Sequence, residues 1–326
     1  MKRQIASNQK SIHEPAYLEL FRSGVLNKRV EQAYRLLSLC QVCAWHCNVD
    51  RRQPAGTPRS RGVCRTGLKA RVSSYCPHHG EEDVLRGWRG SGTIFFAACN
   101  LRCQYCQNHD ISQTTAGREV EPEELAGIML ELQDAGCHNI NFVSPSHVAP
   151  QIMAALQLAA QRGLRLPLVY NTGGYDSLEM LRLLDGLIDI YMPDMKYASE
   201  AIARRYSRVI EYPSINQAAV REMHRQVGDL VVNEFGLAVR GLLVRHLVLP
   251  DDLAGTGAVL RFLATELSTD SYLNLMPQYR SAYMAHRYPE IDRSLSYEEY
   301  RRVLTQAQAV GLQRLDKRID RGFINR

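Results

Sequence analysis

The chain has 326 residues, 45 % hydrophobic and 23 % charged, which is enough for one large globular domain with a smaller appendage. Its formal net charge of +6 is mild for this length. No basic stripe is interleaved with aromatic side chains, which argues against nucleic acid as a partner. The first twenty residues lack the apolar core of a secretory signal, and no apolar run approaches the ~18 residues of a membrane span. We therefore expect a cytoplasmic protein with no membrane partner.

Cysteine usage gives the first functional signal. Of nine cysteines, eight lie between residues 40 and 106, and only Cys137, which we expect in the core, stands apart. Cytoplasmic thiols stay reduced, so this concentration predicts metal binding or catalysis rather than disulfides. Residues 1–38 have the pattern of a leading helical segment. Residues 40–92 are rich in Cys, Gly, Pro, Arg and His, and a bound metal would supply stability that so polar a stretch lacks.

From residue 93, short apolar runs alternate with helical patterns. One helix begins at Pro122 and ends at Gly136, another covers 148–163, and a third lies between Ser177 and Gly186. A further helix opens the tail 296–326, which ends in a charged stretch. The predicted strands are 93–99, 139–145, 166–172, 188–194, 241–250 and 272–278.

Six strands that alternate with helices predict parallel βαβ units with right-handed crossovers. The fold class is therefore α/β, with a partial (β/α)6 barrel as the leading architecture and a doubly wound sheet as the alternative. In both, the loops at the carboxyl ends of the strands carry the chemistry. We divide the chain into a Cys-rich N-terminal extension (1–90), the barrel (91–280) and a helical tail (281–326).

Three cysteines follow the first predicted strand, as Cys99-x3-Cys103-x2-Cys106. Three thiolates on one tight loop can ligate three irons of a cubane cluster and leave the fourth iron open to the amino and carboxylate groups of a substrate. A structural zinc site, with His109 as the fourth ligand, is the alternative. The spacing, directly after the first strand of a βα series, favours the cluster.

The segment FFAACNLRCQYCQNHDIS resembles the CxxxCxxC signature of the radical S-adenosylmethionine superfamily, with Tyr105 as the usual aromatic residue before the last cysteine. The resemblance covers roughly residues 90–280. It implies a partial (β/α)6 barrel, a [4Fe–4S] cluster, and reductive cleavage of S-adenosylmethionine to a 5′-deoxyadenosyl radical that removes a hydrogen atom from a substrate. The preceding segment HHGEEDVLRGWRGSGTI makes the chain similar to the branch of pyruvate formate-lyase activating enzyme, in particular to longer proteins with a cysteine-bearing N-terminal extension.

The resemblance also implies cofactor-binding positions after the second and third strands. Relatives bind the methionine amino group with a Gly-Gly-Glu-like stretch, where this chain has VSPSHVAP, so Ser144, Ser146 or His147 takes that role. His147 alternatively only starts a helix. After the third strand, Asn171 and Thr172 precede two glycines, similar to a polar turn of activating enzymes, although a plain strand-to-helix turn needs the same residues.

Later strands supply further candidates. Asp194 and Lys196 resemble the Asp-x-Lys of glycyl-radical activating enzymes and alternate to one side of an extended chain; a surface ion pair is the alternative. In the fifth strand, the resemblance implies that Arg245 contacts the cofactor, whereas pairing with a structural carboxylate would also satisfy it. We expect His246 to be packed in the core. Gln278 stands where relatives carry a histidine that contacts the adenosyl group, and is a candidate to replace it.

A second cysteine set precedes the barrel. Its two short spacings and one distant member fit either zinc or an iron–sulfur cluster; a cluster would relay electrons, whereas zinc would only stabilise the extension. Cys76, His78 and His79 are alternative ligands or substrate-facing groups. The set consists of Cys40, Cys43, Cys47 and Cys64.

Three functions remain open at this point. The first is an activating enzyme that makes a radical, such as a glycyl radical, on a polypeptide. The second is a radical enzyme that modifies a small molecule or a peptide side chain, and the third is a non-enzymatic metal-binding scaffold. For the first two, the resemblance implies a low-potential electron donor of the flavodoxin or ferredoxin type.

Overall fold

The computed structural model describes residues 14–53 and 62–316, so residues 1–13 of the leading segment and the charged end 317–326 lie outside the described residues. The helices are α1 (Tyr17–Arg22), α2 (Val25–Arg35), α3 (Asp83–Arg86), α4 (His109–Ser112), α5 (Pro122–Asp134), α6 (Ala149–Gln161), α7 (Leu178–Leu184), α8 (Glu200–Ser207), α9 (Tyr212–Val227), α10 (Thr256–Phe262) and α11 (Tyr297–Ala309). The strands are β1 (Ala70–His78), β2 (Ser91–Phe96), β3 (Arg118–Val120), β4 (Ile140–Val143), β5 (Leu168–Thr172), β6 (Ile190–Pro193), β7 (Val231–Val232), β8 (Ala238–Leu247) and β9 (Tyr272–Met276).

Six of these strands form the parallel series that the sequence predicts. Strands β2, β4, β5, β6, β8 and β9 each pair in parallel with the next. The spatial order follows the chain order without reversal. A doubly wound sheet reverses its strand order at a switch point, so that alternative is wrong and the partial barrel is confirmed.

Three antiparallel strands were not expected. β1 pairs with β2, β3 pairs with β1, and β7 pairs with β8. β1 lies inside the Cys-rich stretch, where its sequence ARVSSYCPH hides the apolar alternation because most of its second half faces solvent. The sheet therefore crosses the boundary that we placed at residue 90. The first parallel strand also ends at Phe96, which leaves Cys99 in the following loop.

The two faces of the barrel strands differ. Side chains such as Ile94, Phe96 and Phe142 pack outward in the main core with the helices. On the inside, an apolar cluster closes the lumen, and Leu85 of α3 inserts into it as a plug. The inward members from the strands are Val169, Ile190, Met192, Ala238 and Leu243. Towards the carboxyl ends of β5 and β8 the inward side chains become polar, whereas Ser91 and Asn139, at the amino ends of β2 and β4, are buried polar residues hydrogen-bonded to each other beside Leu85.

The N-terminal helices belong to the same core. Tyr17, Leu18 and Leu26 are fully buried against barrel helices. The Asp189 carboxylate, just before β6, accepts hydrogen bonds from the backbone N–H groups of Ala16 at 3.0 Å and Leu168 at 2.9 Å. The extension is thus fixed to the barrel by packing and by a buried carboxylate.

Within the two described ranges, no helix combines the length and the apolar character needed to cross a membrane.

Replacing Leu85 by Ala should lower the free energy of unfolding by about 2–5 kcal/mol, because the removal of this fully buried side chain leaves a cavity in the lumen of the barrel. Urea denaturation followed by circular dichroism measures this. Leu39→Ala, at a side chain that is 62 % exposed, is the matched control and should change the stability little. Equal losses in the two variants would contradict the assignment of α3 as a plug.

Candidate active site

The cysteine loop leaves the barrel through a sharp turn. Directly after β2, Ala98 adopts a positive φ of 63°, a conformation that a non-glycine residue holds only under constraint. Its N–H donates to the Ile111 carbonyl of α4 at 2.9 Å, and the N–H of Cys106 donates to the Cys103 carbonyl at 3.3 Å. The loop from Cys99 to Cys106 is therefore folded back over the carboxyl end of β2.

Each thiol of this loop has a hydrogen-bonding neighbour. The Leu101 N–H donates to Cys99 Sγ at 3.4 Å, the Ser207 hydroxyl donates to Cys103 Sγ at 3.0 Å, and Ser112 Oγ lies 3.1 Å from Cys106 Sγ. Burial raises the pKa of the Cys99 and Cys103 thiols, and the ammonium of Lys196 opposes this. Hydrogen bonds and a nearby cation favour the thiolate, which is the form that ligates metals.

His109, the fourth ligand in the zinc alternative, is engaged in other contacts. The His109 ring stacks on Tyr283 with centroids 5.0 Å apart, and its Nδ1 lies 3.2 Å from the Cys106 carbonyl. In residues 14–53 and 62–316, no three His, Cys, Asp or Glu side chains are grouped so that they could hold a metal ion. Thiolates that ligate different irons of a cubane surround a volume and need not converge on one point.

Buried hydroxyl groups connect Cys103 to the aromatic residue of the motif. Tyr105 Oη lies 2.6 Å from Tyr197 Oη, which lies 2.7 Å from Ser207 Oγ, the donor to Cys103. The Tyr105 ring also packs edge-on against Tyr279, at 5.7 Å between centroids. Tyr105 thus anchors the loop to the barrel, and its predicted role at the cofactor would be through this anchoring. No motif or spacing in the sequence marks Tyr197 or Ser207.

A buried charged cluster stands next to the loop. Asp194 Oδ2 is 2.6 Å from Lys196 Nζ, and Asp194 Oδ1 is 3.0 Å from Arg245 Nε. Burial alone would raise the Asp194 pKa, but Lys196 and Arg245 together hold it below its usual value. Burial opposes the charged forms of Lys196 and Arg245, yet Asp194 raises both of their pKa values. The surface-pair alternative for Asp194 and Lys196 is therefore wrong, and Arg245 has the structural carboxylate that we considered.

Two acidic residues of this region were missed in the sequence. Glu81 Oε2 lies 3.7 Å from Arg245 Nη1, and Glu81 Oε1 accepts from Asn141 Nδ2 at 3.0 Å. Glu82 Oε1 accepts from Asn274 Nδ2 at 2.6 Å. The run Gly-Glu-Glu-Asp before α3 has the pattern of a solvated charge run, so only the fold reveals that both glutamates are buried.

Ser144 and Asn171 join the same site. Ser144, at φ 60°, donates its N–H to the Asn171 carbonyl at 3.0 Å, and its hydroxyl is a hydrogen-bond partner of the Cys99 thiol. Asn171 is buried at the end of β5. Both predicted positions therefore lie beside the cysteine loop.

Ser146 and Thr172 are engaged with each other instead, at 2.8 Å between their hydroxyl oxygens, and Thr172 also donates to Asp176 at 2.6 Å. Buried His147 places Nε2 3.2 Å from the Ala97 carbonyl. Burial, with Arg51 nearby, lowers the pKa of His147 to about 3, so it stays neutral. These three residues therefore support the backbone around the site.

Gln278 is a correction. Its side chain is exposed, and only its carbonyl has a role here, as the acceptor of Gln107 Nε2 at 3.1 Å. The chain leaves the sheet after Met276, and Tyr279 takes the buried position instead.

His246 is packed as expected, between the Met195 carbonyl and the Thr256 hydroxyl.

The remaining cysteines divide into two groups. Cys76 is exposed on β1, Cys137 is buried, and neither joins the barrel mouth. The second cysteine set instead lies against the cysteine loop: Trp45 Nε1 donates to the Asn100 carbonyl at 2.6 Å, and Arg102 donates to the carbonyls of Cys99 and Val63.

Replacing Asp194 by Asn should lower the free energy of unfolding by about 3 kcal/mol at neutral pH, because Lys196 would keep its charge without its buried counter-ion and Arg245 would keep only the longer contact with Glu81. The folded-state pKa of Asp194 is depressed, so its contribution is complete above the ordinary aspartate pKa and is lost as the pH falls below it. Urea denaturation from pH 8 down to about pH 3 should show the difference between variant and wild type narrowing only at the acid end.

Asp134→Asn is the control for this series, because Asp134 is exposed at the end of α5. It should follow the wild type at every pH. A constant difference between Asp194→Asn and wild type across the whole range would contradict the ion-pair interpretation.

Comparison with known proteins agrees with this geometry. A family model of the radical SAM superfamily matches residues 93–236. The uncharacterized protein MJ0674 of Methanocaldococcus jannaschii is 31 % identical over 303 residues, which cover 90 % of this chain and 82 % of that protein.

Solved structures show distant similarity. A radical SAM methyltransferase from Sphaerobacter thermophilus has a TM-score of 0.46 and 15 % identity over 93 % of each chain. TYW1 with a bound lysine–pyruvate adduct has a TM-score of 0.42 and 12 % identity, over 67 % of this chain and 72 % of that one. The methyltransferase TsrM from Kitasatospora setae, with cobalamin and a [4Fe–4S] cluster bound, has a TM-score of 0.40 and 16 % identity, over 72 % and 42 %. Residues 93–236 therefore form a domain of the radical SAM superfamily, a domain that uses a [4Fe–4S] cluster and S-adenosylmethionine.

Proposed function

We propose that Cys99, Cys103 and Cys106 hold the [4Fe–4S] cluster and that the enzyme removes a hydrogen atom from a small polar substrate bound in the barrel. When bound, the cluster supplies the electron that cleaves S-adenosylmethionine into methionine and the 5′-deoxyadenosyl radical, which takes the hydrogen atom. The observation that carries the substrate class is the buried layer of charged and amide side chains inside the barrel, next to the cysteine loop.

The residues of the loop fit the cluster. Three thiols on one turn have an N–H and two hydroxyl neighbours, and Lys196 adds a positive charge beside Cys99 and Cys103. Donors to sulfur and a nearby cation stabilise an anionic cluster. The loop offers three thiolates for four irons. The nearby imidazole of His109 is stacked on Tyr283.

S-adenosylmethionine carries an ammonium and a carboxylate that need partners. Ser144 and Asn171, beside Cys99, offer oxygen acceptors for the ammonium. Lys196 and Arg245 offer donors for the carboxylate, and Asp194 keeps both of them charged. These roles follow from charge and from position around the thiols.

The substrate pocket is formed by the deeper polar layer. Glu81 and Glu82 are held by Asn141 and Asn274, and Glu81 also faces Arg245. Burying several ionised and amide groups costs folding free energy, and such clusters concentrate at functional sites. Two carboxylates beside amide groups suit a ligand that donates hydrogen bonds, such as an amine or a polyhydroxylated compound.

The surroundings of the loop favour a small substrate. On one side Trp45 donates to the Asn100 carbonyl, and on the other the Met284 N–H donates to the Gln104 carbonyl at 2.8 Å. Two chain segments therefore pack against the loop, and the apolar cluster around Leu85 fills part of the lumen. A glycyl-radical polypeptide remains the second candidate, because Asp194-x-Lys196 resembles the matching segment of activating enzymes. For either substrate we propose a low-potential donor of the flavodoxin or ferredoxin class.

Cys103→Ala should abolish the formation of 5′-deoxyadenosine, because it removes one of three cluster ligands. The assay is anaerobic reconstitution with iron and sulfide, reduction with dithionite, and chromatography after addition of S-adenosylmethionine. The control is Cys76→Ala, at an exposed thiol of β1, which should cleave as the wild type does. Retained cleavage in Cys103→Ala would exclude our ligand assignment.

The substrate class can be read from isotope transfer. A hydrogen atom abstracted from substrate ends on the 5′ carbon, so a deuterated substrate yields deuterated 5′-deoxyadenosine. Extract from cells grown in deuterated medium is separated by ultrafiltration into small molecules and proteins, and each fraction is incubated with the unlabelled, reduced enzyme.

We expect deuterium transfer from the small-molecule fraction, detected by mass spectrometry, and its loss in Glu82→Gln although cleavage without substrate continues. Cys103→Ala serves as the blank. Transfer from the protein fraction alone would contradict a small-molecule substrate and support the polypeptide alternative.

A further inference from the structure

The loop that follows α2 is closed on itself and contains three cysteines. The Cys40 N–H donates to the Val49 carbonyl at 2.9 Å, and the Asn48 N–H donates to the Cys40 carbonyl at 3.2 Å. His46 and Asn48 both have positive φ, 41° and 52°. Non-glycine residues hold such angles only where the surroundings impose them, so the loop is constrained into one shape.

The fourth cysteine arrives from a distant segment. Cys64 is 5 % exposed, as buried as Cys40 and Cys43. A Cβ on Gly62 would lie 2.7 Å from Cys47 Sγ, so the chain can approach this thiol closely only because Gly62 has no side chain. The segment that carries Cys64 therefore packs against the loop that carries Cys40, Cys43 and Cys47.

Backbone N–H groups point at these sulfurs as they do in the active-site loop. The Trp45 N–H donates to Cys43, two residues earlier, as the Leu101 N–H does to Cys99. The Val63 N–H donates to Cys47. Such bonds stabilise thiolates and tune clusters that thiolates bind.

A buried cation completes the arrangement. Arg51 is 1 % exposed, and its Nη1 lies 3.8 Å from Cys40 Sγ and donates to the His147 carbonyl at 2.8 Å. A buried guanidinium is costly without a nearby negative charge. Two backbone carbonyls, of His147 and Gly67, accept from it, and the thiolates of a metal-bound cysteine set would supply the charge.

We propose that Cys40, Cys43, Cys47 and Cys64 hold a second iron–sulfur cluster. Structural zinc sites typically take their cysteines as two close pairs, whereas three cysteines on one loop with a distant fourth are the arrangement of iron–sulfur ligands. With four thiolates the centre is closed, unlike the three-cysteine loop of the active site. The proposal does not depend on the substrate proposed above.

The second centre adjoins the first. Trp45, between two of its cysteines, donates to the Asn100 carbonyl of the active-site loop, and Arg102 spans the carbonyls of Cys99 and Val63. Cys43 also forms a β-bridge with Asp176, which follows β5. The segments that carry the two cysteine sets therefore contact each other directly, and this proposal places the second cluster within the core of the enzyme.

The test separates the clusters by mutation in the full-length chain. One variant replaces Cys99, Cys103 and Cys106 by Ala, a second replaces Cys43 and Cys47 by Ala, and a third combines all five changes. Cys76→Ala is the control. All are reconstituted anaerobically with iron and sulfide and then analysed for iron, acid-labile sulfide and zinc, and by electron paramagnetic resonance after reduction.

We expect each of the first two variants to keep about half of the wild-type iron and sulfide, and the five-fold variant to keep almost none. The triple variant should still give an iron–sulfur resonance, and Cys76→Ala should match the wild type. Stoichiometric zinc in place of iron and sulfide in the triple variant would overturn the proposal, as would the absence of any metal.

Misfolding is tested separately by circular dichroism. If the triple variant does not fold, the decision rests on the Cys43/Cys47 variant: unchanged iron and sulfide relative to wild type would equally overturn the second cluster. Loss of half of both, with S-adenosylmethionine cleavage judged independently, would support it. A failed substrate assignment would leave these metal contents unchanged.

Discussion

One buried carboxylate determines how the mouth of this barrel is organised. Asp194 pairs with Lys196 and Arg245, which come from its own strand end and from β8. Its carbonyl also accepts from Tyr212 and from Asn216 at 3.1 and 3.0 Å. A buried cation that loses its carboxylate costs several kcal/mol, and Lys196 would lose its ion-pair partner without Asp194, so the positions of β6, β8 and α9 depend on this carboxylate. The cations that it keeps charged face the cysteine loop on one side and Glu81 on the other.

The cysteine loop depends on that arrangement because Lys196 offsets part of the burial that disfavours its thiolates. Successive hydrogen bonds between the hydroxyl groups of Tyr105, Tyr197 and Ser207 then hold Cys103 in position. Loop position and thiolate chemistry are thus set by residues from α8 and from the segment before it. An apolar cluster around Leu85 fills part of the lumen.

The sequence was sufficient for the parallel series, since apolar runs and caps report strands and helices directly. It was insufficient for β1, whose exposed half lacks alternation, and for Glu81 and Glu82, since a charge run has the same pattern whether buried or solvated. The prediction for Gln278 failed for a related reason. A position after a strand does not determine which side chain points inward once the chain leaves the sheet. Contacts between distant segments decide such cases.

The same reasoning explains why the N-terminal cysteines are part of the enzyme core and not an appended module. An extension joined by a linker would make few contacts with the barrel. Here β1 pairs along the length of β2, Tyr17 is buried in the main core, and Trp45 contacts the loop between Cys99 and Leu101. Disturbing the loop from Cys40 to Val49 would therefore displace a hydrogen-bond donor to the active-site loop. The segments that carry the two cysteine sets are joined by hydrogen bonds, so a metal bound by the N-terminal set would also order one side of the proposed active site.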